Sequence, residues 1–224
     1  MNSIILTGAN RGLGQELHNI IVKNIPTAAK CIFVSRKPVS EPSEGSEYIQ
    51  ADFGKQGGLD FGFDFGAETK AVVFINNAGT IEPIGKAEDI LASDLERALR
   101  VNCTGPLTLA QQLVIKTREV GARLFILNVS SGAARHPIKG WMAYCVSKAA
   151  AVMALEVLAM ENVHVTVQHF DPGVMDTDMQ KHIRGQSADV MPDVGLFQGF
   201  KNDQALKSPR EVAENIIAIV REAL

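Results

Sequence analysis

Tyr144 and Lys148 stand four residues apart in "YCVSK". On a helix that spacing puts both side chains on one face, about a turn apart. A phenol with a pKa of about 10 is a poor acid–base group at neutral pH. A neighbouring ammonium favours the phenolate and lowers that value, so the pair reads as a tuned proton donor. The same pair can also occur on any exposed helix. Ser131 lies thirteen residues earlier, just past the apolar run "RLFILNVS". A hydroxyl there could hydrogen-bond a carbonyl oxygen beside the phenol, and Ser130 is its immediate rival. Such a set could hold and protonate a carbonyl oxygen, and a reaction there would need a bound cofactor.

The start of the chain offers a place for one. "TGANRGLG", Thr7 to Gly14, follows an apolar run and has the spacing G-x-x-x-G-x-G. Gly8 permits a tight turn, Gly12 lets the backbone approach a pyrophosphate, and Gly14 lets helix and strand pack closely. The helix N-terminus then presents free N–H groups and a positive dipole to phosphate. Asn10, Arg11 and Leu13 complete the candidate cofactor loop; a plain structural turn is the alternative. The next strand decides between dinucleotides. An NAD site places an acid near its end for the ribose 2′-hydroxyl. Here the strand ends in "VSRKP", with Ser35, Arg36 and Lys37 and no acid. A guanidinium there suits a 2′-phosphate, and Arg11 could add a second cation. NADP (as NADPH) is therefore favoured over NAD; the competing reading makes Arg36 a solvated surface charge.

These residues must be carried by alternating elements. Ser3–Thr7, Cys31–Ser35, Ala71–Asn76, Arg123–Ser130 and Val163–Phe170 read as strands, with Glu47–Ala51 a weaker sixth. Helical patterns cover Gly12–Asn24, Ser93–Thr117 with a break near Gly105-Pro106, and Tyr144–Met160. A closing helix begins at Ser208, a candidate N-cap ahead of Pro209. Continuous apolar strands alternating with helices indicate an α/β fold, a parallel sheet covered on both faces. Right-handed crossovers make it one doubly wound, Rossmann-type domain over residues 1–224. Two segments resist assignment. Gly54 to Gly66, "GKQGGLDFGFDFG", has no clear period. Residues 175–208 form a long excursion, of the kind that often serves as a lid over substrate.

Taken together, the motifs resemble the short-chain dehydrogenase/reductase family. The matching pieces are "TGANRGLG", "NNAG" (Asn76 to Gly79), "VNCTG" (Val101 to Gly105), "NVSSGAA" (Asn128 to Ala134), "YCVSK" and "DPGVMDTDM" (Asp171 to Met179), in the family's order. Within the family, "KGWMAYCVSKAA" and "PGVMDTDMQ" are similar to the sepiapterin reductase and benzil reductase type. The resemblance implies that Tyr144 is the general acid, Lys148 binds the nicotinamide ribose and tunes the phenol, and Ser131 orients the carbonyl. Asn102 would hold a water linking Lys148 to solvent. Asn77, Ala78 and Gly79 would line the cofactor, and Asp52 would meet the adenine. Pro172, Gly173, Val174 and Thr177 would hold the nicotinamide amide. The resemblance also implies a homodimer built on the helix from Tyr144 and the one around Leu107 to Arg118. The family commonly has a seventh strand; this chain ends in its closing helix, so six are expected.

Composition narrows the partners. The chain has 224 residues, with 22 basic against 25 acidic and a net charge of −3. No basic run suggests nucleic acid. Apolar stretches look shorter than a membrane span, and "MNSIILTGAN" has no secretory pattern, so a cytoplasmic protein is expected. Cys31, Cys103 and Cys145 lack paired spacing and read as reduced thiols, and no metal site is expected. Trp141 is a candidate wall of the substrate pocket, with Met175, Met179, Leu196 and Phe197 a possible apolar cover. His136 and His182 could approach the pocket, whereas His164 and His169 belong with a strand. The expected activity is an NADPH-dependent reduction of a small apolar ketone or diketone. Alcohol oxidation by the same residues, or NADPH sensing without turnover, are the competing readings.

Overall fold

Runs of buried aliphatic residues in the four central strands leave no polar face, so those strands must be covered on both sides. β1 (Asn2–Thr7), β2 (Ala29–Ser35), β3 (Glu47–Gln50), β4 (Ala71–Asn76), β5 (Arg123–Val129) and β6 (Val165–Phe170) form one sheet in the order β3-β2-β1-β4-β5-β6. Every neighbouring pair is parallel. The computed structural model describes residues 2–24, 29–39, 41–55 and 59–224. The six-stranded Rossmann-type sheet expected from the sequence is present, with strand ends moved by two residues or fewer. Strand order reverses between β1 and β4, so the crevice for a ligand opens at their carboxyl ends.

Helices follow in chain order: α1 (Gly12–Asn24), α2 (Ala92–Leu99), α3 (Gly105–Val120), α4 (Met142–Glu161), α5 (Asp178–Arg184), α6 (Val194–Asn202) and α7 (Pro209–Ala223). α1 and α7 cover one face, where Leu17, Ile21, Ile216 and Val220 meet Ile4, Leu6 and Ile75. α3 and α4 cover the other, where Leu109, Leu113 and Leu155 meet Ile5, Val72 and Phe74. Ser208 caps α7 as expected, its Oγ accepting from the Arg210 N–H at 3.2 Å. α4 has 20 residues and is long and apolar enough to cross a membrane by composition. That corrects the expectation that no stretch approaches that length. Here it packs on the sheet and carries Tyr144 and Lys148.

The expected break near Gly105-Pro106 is not a break. Helical backbone continues from α2 to α3 through a π-turn at Arg100–Thr104. Pro106 has no N–H, and its ring would press on a carbonyl of the preceding turn in a regular helix. One wider turn relieves that clash and keeps the axis. Gly105 is required just there, since a Cβ would lie 2.8 Å from the Phe53 ring.

The unread glycine-rich segment is an extended run. Phe61, Phe63 and Phe65 are buried while Gly62, Asp64 and Gly66 face out. That is a strand's period of two without strand pairing. The rings stack in sequence, with centroids 5.5 Å and 6.0 Å apart, and join the α3 side of the core. Gln112 on α3 accepts from the Phe61 N–H at 3.1 Å and donates to the Leu59 carbonyl. Part of the stretch, residues 56–58, lies outside the described residues.

Residues 175–208 contain α5 and α6. The base of this excursion is closed by a parallel bridge between Met175 and Lys207. Ile183, Met191, Val194 and Phe197 pack on Trp141 and Tyr144, forming a third apolar cluster beyond the sheet.

Candidate active site

Thr7 ends β1 and sets the floor of the crevice. Its Oγ1 accepts from the N–H groups of Asn77 and Ala78, each at 3.0 Å. Asn77 Nδ2 donates to the Thr7 carbonyl at 3.0 Å. These bonds lock the glycine loop to the end of β4. Gly8 takes φ +73° with Ala78 Cα only 3.0 Å from where a Cβ would sit, and at Gly14 a Cβ would lie 2.0 Å from the Gly8 carbonyl oxygen. Side chains are thereby excluded from both positions. Gly12, at φ +53°, has only the Thr177 methyl within reach of a Cβ, so its backbone faces open space.

That space is a cleft of about 1260 Å³, its open mouth included. Gly8, Asn10, Arg11, Gly12, Leu13 and Gly14 line one side. Ser35, Arg36 and Asp52 line the far end, from β2 and the segment after β3. Asn77, Ala78 and Gly79 lie along the middle, and Tyr144, Lys148, Pro172, Met175 and Thr177 close the near end. Gly173 and Val174 lie beside Pro172 but do not line the cleft; they sit where the chain pairs with Lys207. Asn102, Ser131 and Trp141 also lie behind the lining. The backbone cradle, the α1 N-terminus and an elongated cleft with cations at one end fit a nicotinamide dinucleotide.

Lys148 is buried, and its Nζ donates to the Val129 carbonyl at 2.8 Å. Burial lowers its pKa to about 8, with the Asp171 carboxylate working the other way. Nζ lies 6.0 Å from the Tyr144 ring centroid. The Tyr144 hydroxyl meets the Ser131 hydroxyl, and that hydrogen bond favours the phenolate. Burial outweighs it, and the Tyr144 pKa is pushed up to about 12, helped by Asp171. The sequence-based expectation was the reverse, a phenol acidified by Lys148. The physical reason is that the ring is sealed under the third apolar cluster, where the charged form loses its solvation. Ser131 also caps the short turn that follows, accepting from the Ala133 N–H at 3.2 Å. Ser130 is buried in the cleft wall on the other side of the backbone.

Asn102 sits in the π-turn and is buried. Its Oδ1 accepts from the Thr80 N–H at 2.8 Å, and its Nδ2 donates to the Thr80 carbonyl at 2.8 Å and to Ser147 Oγ at 2.9 Å. The side chain thus ties the loop after β4 to α4. Gly79 threads between, where a Cβ would be 3.3 Å from Asn102 Oδ1 and 3.9 Å from Lys148 Nζ. A buried polar row supports the site from below. Asn76 Nδ2 donates to Asn128 Oδ1 at 2.9 Å, and the Asn128 amide meets His169 Nδ1 at 3.0 Å. His164 precedes β6 instead of lying in it. His182 meets Glu82 at 2.6 Å outside the cleft lining, and His136 is exposed.

Sequence reasoning did not single out several residues. Phe53, Thr80, Arg97, Val101 and Asp178 also line the cleft, beside Met179 of the apolar cover expected there. Asp171 acts on both Tyr144 and Lys148. Asp171 and Asp178 carried a signal as members of "DPGVMDTDM", and Val101 as a member of "VNCTG". Arg97 is on α2 and reaches the adenine end only because that helix passes the segment after β3.

A parallel sheet with this crevice, a glycine cradle and a Ser–Tyr–Lys group whose tyrosine and lysine are buried define a nicotinamide-dependent oxidoreductase, and the chain belongs to the short-chain dehydrogenase family, whose model matches residues 2–188. Among curated relatives it is similar to benzil reductase ((S)-benzoin forming) of Bacillus subtilis, 28% identical over 99% of this chain and 94% of that one. It is also similar to sepiapterin reductase of Xenopus tropicalis, 32% identical over 86% of this chain and 80% of that one. Among solved structures, the KRED1-Pglu enzyme superposes with a TM-score of 0.82 at 25% identity, covering 100% of this chain and 96% of that one.

Proposed function

We propose that this chain is an NADPH-dependent reductase of a small apolar ketone or diketone. The observation that carries the reading is the buried Tyr144 hydroxyl, hydrogen-bonded to Ser131 and neighboured by Lys148, at the near end of the glycine-cradled cleft. The benzil and sepiapterin reductases to which the chain is similar support a carbonyl substrate. A reduced nicotinamide bound in the cleft supplies hydride to the carbonyl carbon. The chain's own residues do the rest. Gly8 to Gly14 bind the pyrophosphate, and Arg36 with Arg11 takes the 2′-phosphate. Asp52 meets the adenine, and Pro172 with Thr177 holds the nicotinamide amide, with Gly173 and Val174 behind them fixing that loop against Lys207. Ser131 orients the carbonyl oxygen, and Tyr144 Oη gives that oxygen its proton. The Lys148 ammonium steadies the phenolate left behind. Asn102 holds a water through which Lys148 exchanges its proton with solvent.

Burial keeps Tyr144 protonated at neutral pH, so the phenol is present as the proton donor that a carbonyl reduction needs. The segment 175–208 covers the substrate, with Met175 as a wall and Trp141 backing it. The molecule works as a homodimer through α3 and α4, where Ile115, Val146, Met153, Val157 and Met160 are exposed.

Tyr144→Phe removes the proton donor and leaves the cleft. NADPH oxidation with a panel of diketones should fall at least about 100-fold, while NADPH binding is kept. Retained turnover would overturn the mechanism. Tight cofactor binding with no turnover of any carbonyl by the unaltered protein would favour the sensor.

A further inference from the structure

The far end of the cleft holds a cation with no partner. Arg97 lines the cleft from α2 and is exposed. Its neighbour Arg100 is engaged twice, donating to the Gly54 carbonyl at 3.3 Å and pairing with Glu96 at 3.6 Å. The Arg97 guanidinium makes no hydrogen bond or ion pair among the described residues. Its place is set by the backbone around it. Arg97 stands one helical turn before Val101, which lines the same cleft. A Cβ on Gly54 would lie 3.4 Å from Val101 Cγ2, 3.6 Å from Arg97 Nε and 3.2 Å from Asp52 Oδ1. Gly54 therefore lets α2 come close to the segment after β3, and a guanidinium and a carboxylate meet at one end of the cleft. They do not pair with each other. Asp52 Oδ1 accepts from the Gly54 N–H at 2.9 Å, and Oδ2 is unengaged among the described residues. The walls beside them are apolar, formed by Val34, Ala51, Phe53 and Val101.

We infer that Arg97 is a cofactor-binding residue that lays its guanidinium against the face of the adenine, while Asp52 takes the edge of the same ring. An apolar slot with one acceptor suits a flat, neutral base that carries an amino group. An unengaged guanidinium beside that slot can stack on the base through its own plane and through cation–π attraction. Arg36 at the end of β2 and Arg11 in the glycine loop serve the 2′-phosphate in the reading above, and a base contact is a separate task. The inference rests on the dinucleotide part of the proposed function. It adds a contribution that NADPH and NADH share equally, because the adenine is common to both.

The test measures Kd for NADPH and NADH by nicotinamide fluorescence, and for AMP by displacement of bound NADPH. The proteins are the unaltered chain, Arg97→Met and Arg97→Lys. Arg97→Met should weaken all three ligands alike, by about 3- to 10-fold, the worth of one partly solvated cation–π stack. Arg97→Lys should restore little of that loss, because an ammonium keeps the charge without the plane. A loss confined to NADPH and restored by lysine would make Arg97 a phosphate contact and overturn the proposal. Unchanged Kd values in both variants, or a loss for the dinucleotides without one for AMP, overturn it too. No carbonyl substrate enters these titrations, so a failure of the reductase reading leaves them intact. An unaltered protein that binds neither dinucleotide would remove the cofactor reading and this inference together.

Discussion

Lys148 and Tyr144 differ from free side chains in opposite directions, and burial is the first cause of both. Lys148 is depressed to about 8, so its ammonium is present below that pH and lost as pH rises through it. Tyr144 stays protonated throughout that range. Reductive kcat/KM should therefore hold near neutral pH and decline from about pH 8 upward. The Asp171 carboxylate raises the Lys148 value, so Asp171→Asn should move that alkaline limb to lower pH. A limb that stays in place in a pH-rate profile would detach Lys148 from the proton chemistry. Arg36 makes the other residue-scale prediction. It is exposed, lines the far end of the cleft and makes no ion pair among the described residues. Arg36→Asp should weaken NADPH binding by roughly 10- to 100-fold, the worth of a charge-assisted contact, and NADH binding far less. Equal losses by fluorescence titration would sink the NADP assignment.

At the scale of elements, two local devices hold the site in register. The π-turn before Pro106 places Asn102 where it can clamp Thr80 and Ser147, joining β4 to α4. A regular turn would rotate that side chain by the offset of one residue and release the clamp. The aromatic ladder from Phe61 to Phe65 replaces a helix as cover for the α3 side of the sheet. Phe63 is at its centre, stacked on both neighbours. Phe63→Ala removes a buried ring from a run with no backbone pairing to hold it. It should cost about 3 kcal/mol of stability, read as a lower urea midpoint. A change below about 1 kcal/mol would show that the ladder is a surface flap and not core.

On the scale of the whole molecule, α4 has two duties. Its inner residues, including Leu155 and Leu158, pack in the core, and Met153, Val157 and Met160 project outward with Ile115 of α3 beside them. Met160 is 85% exposed, an unusual place for an apolar side chain on a core helix. The homodimer should appear in light scattering at micromolar concentration, and Met153→Glu with Val157→Glu should convert it to monomer. A monomeric unaltered protein would exclude a tight dimer. The same helix carries Tyr144 and Lys148 at its opening turns, so pairing through its outer face would stiffen the catalytic end.

By itself the sequence determined the sheet, the glycine cradle and the Ser131–Tyr144–Lys148 group. Each is a local code, made of apolar runs, glycines at fixed spacing or two residues one helical turn apart, and such codes need no distant partner to be legible. Tertiary structure alone decided the rest. The phenylalanine run could not be assigned because its period of two has no neighbouring strand, and its order comes from α3. Arg97 and Asp171 reach the cleft through packing between elements far apart in the chain. The sign of the Tyr144 shift depended on how deeply α5 and α6 seal the ring. Spacing can place a cation beside a phenol, but the solvent each group has lost is set by everything that folds over them.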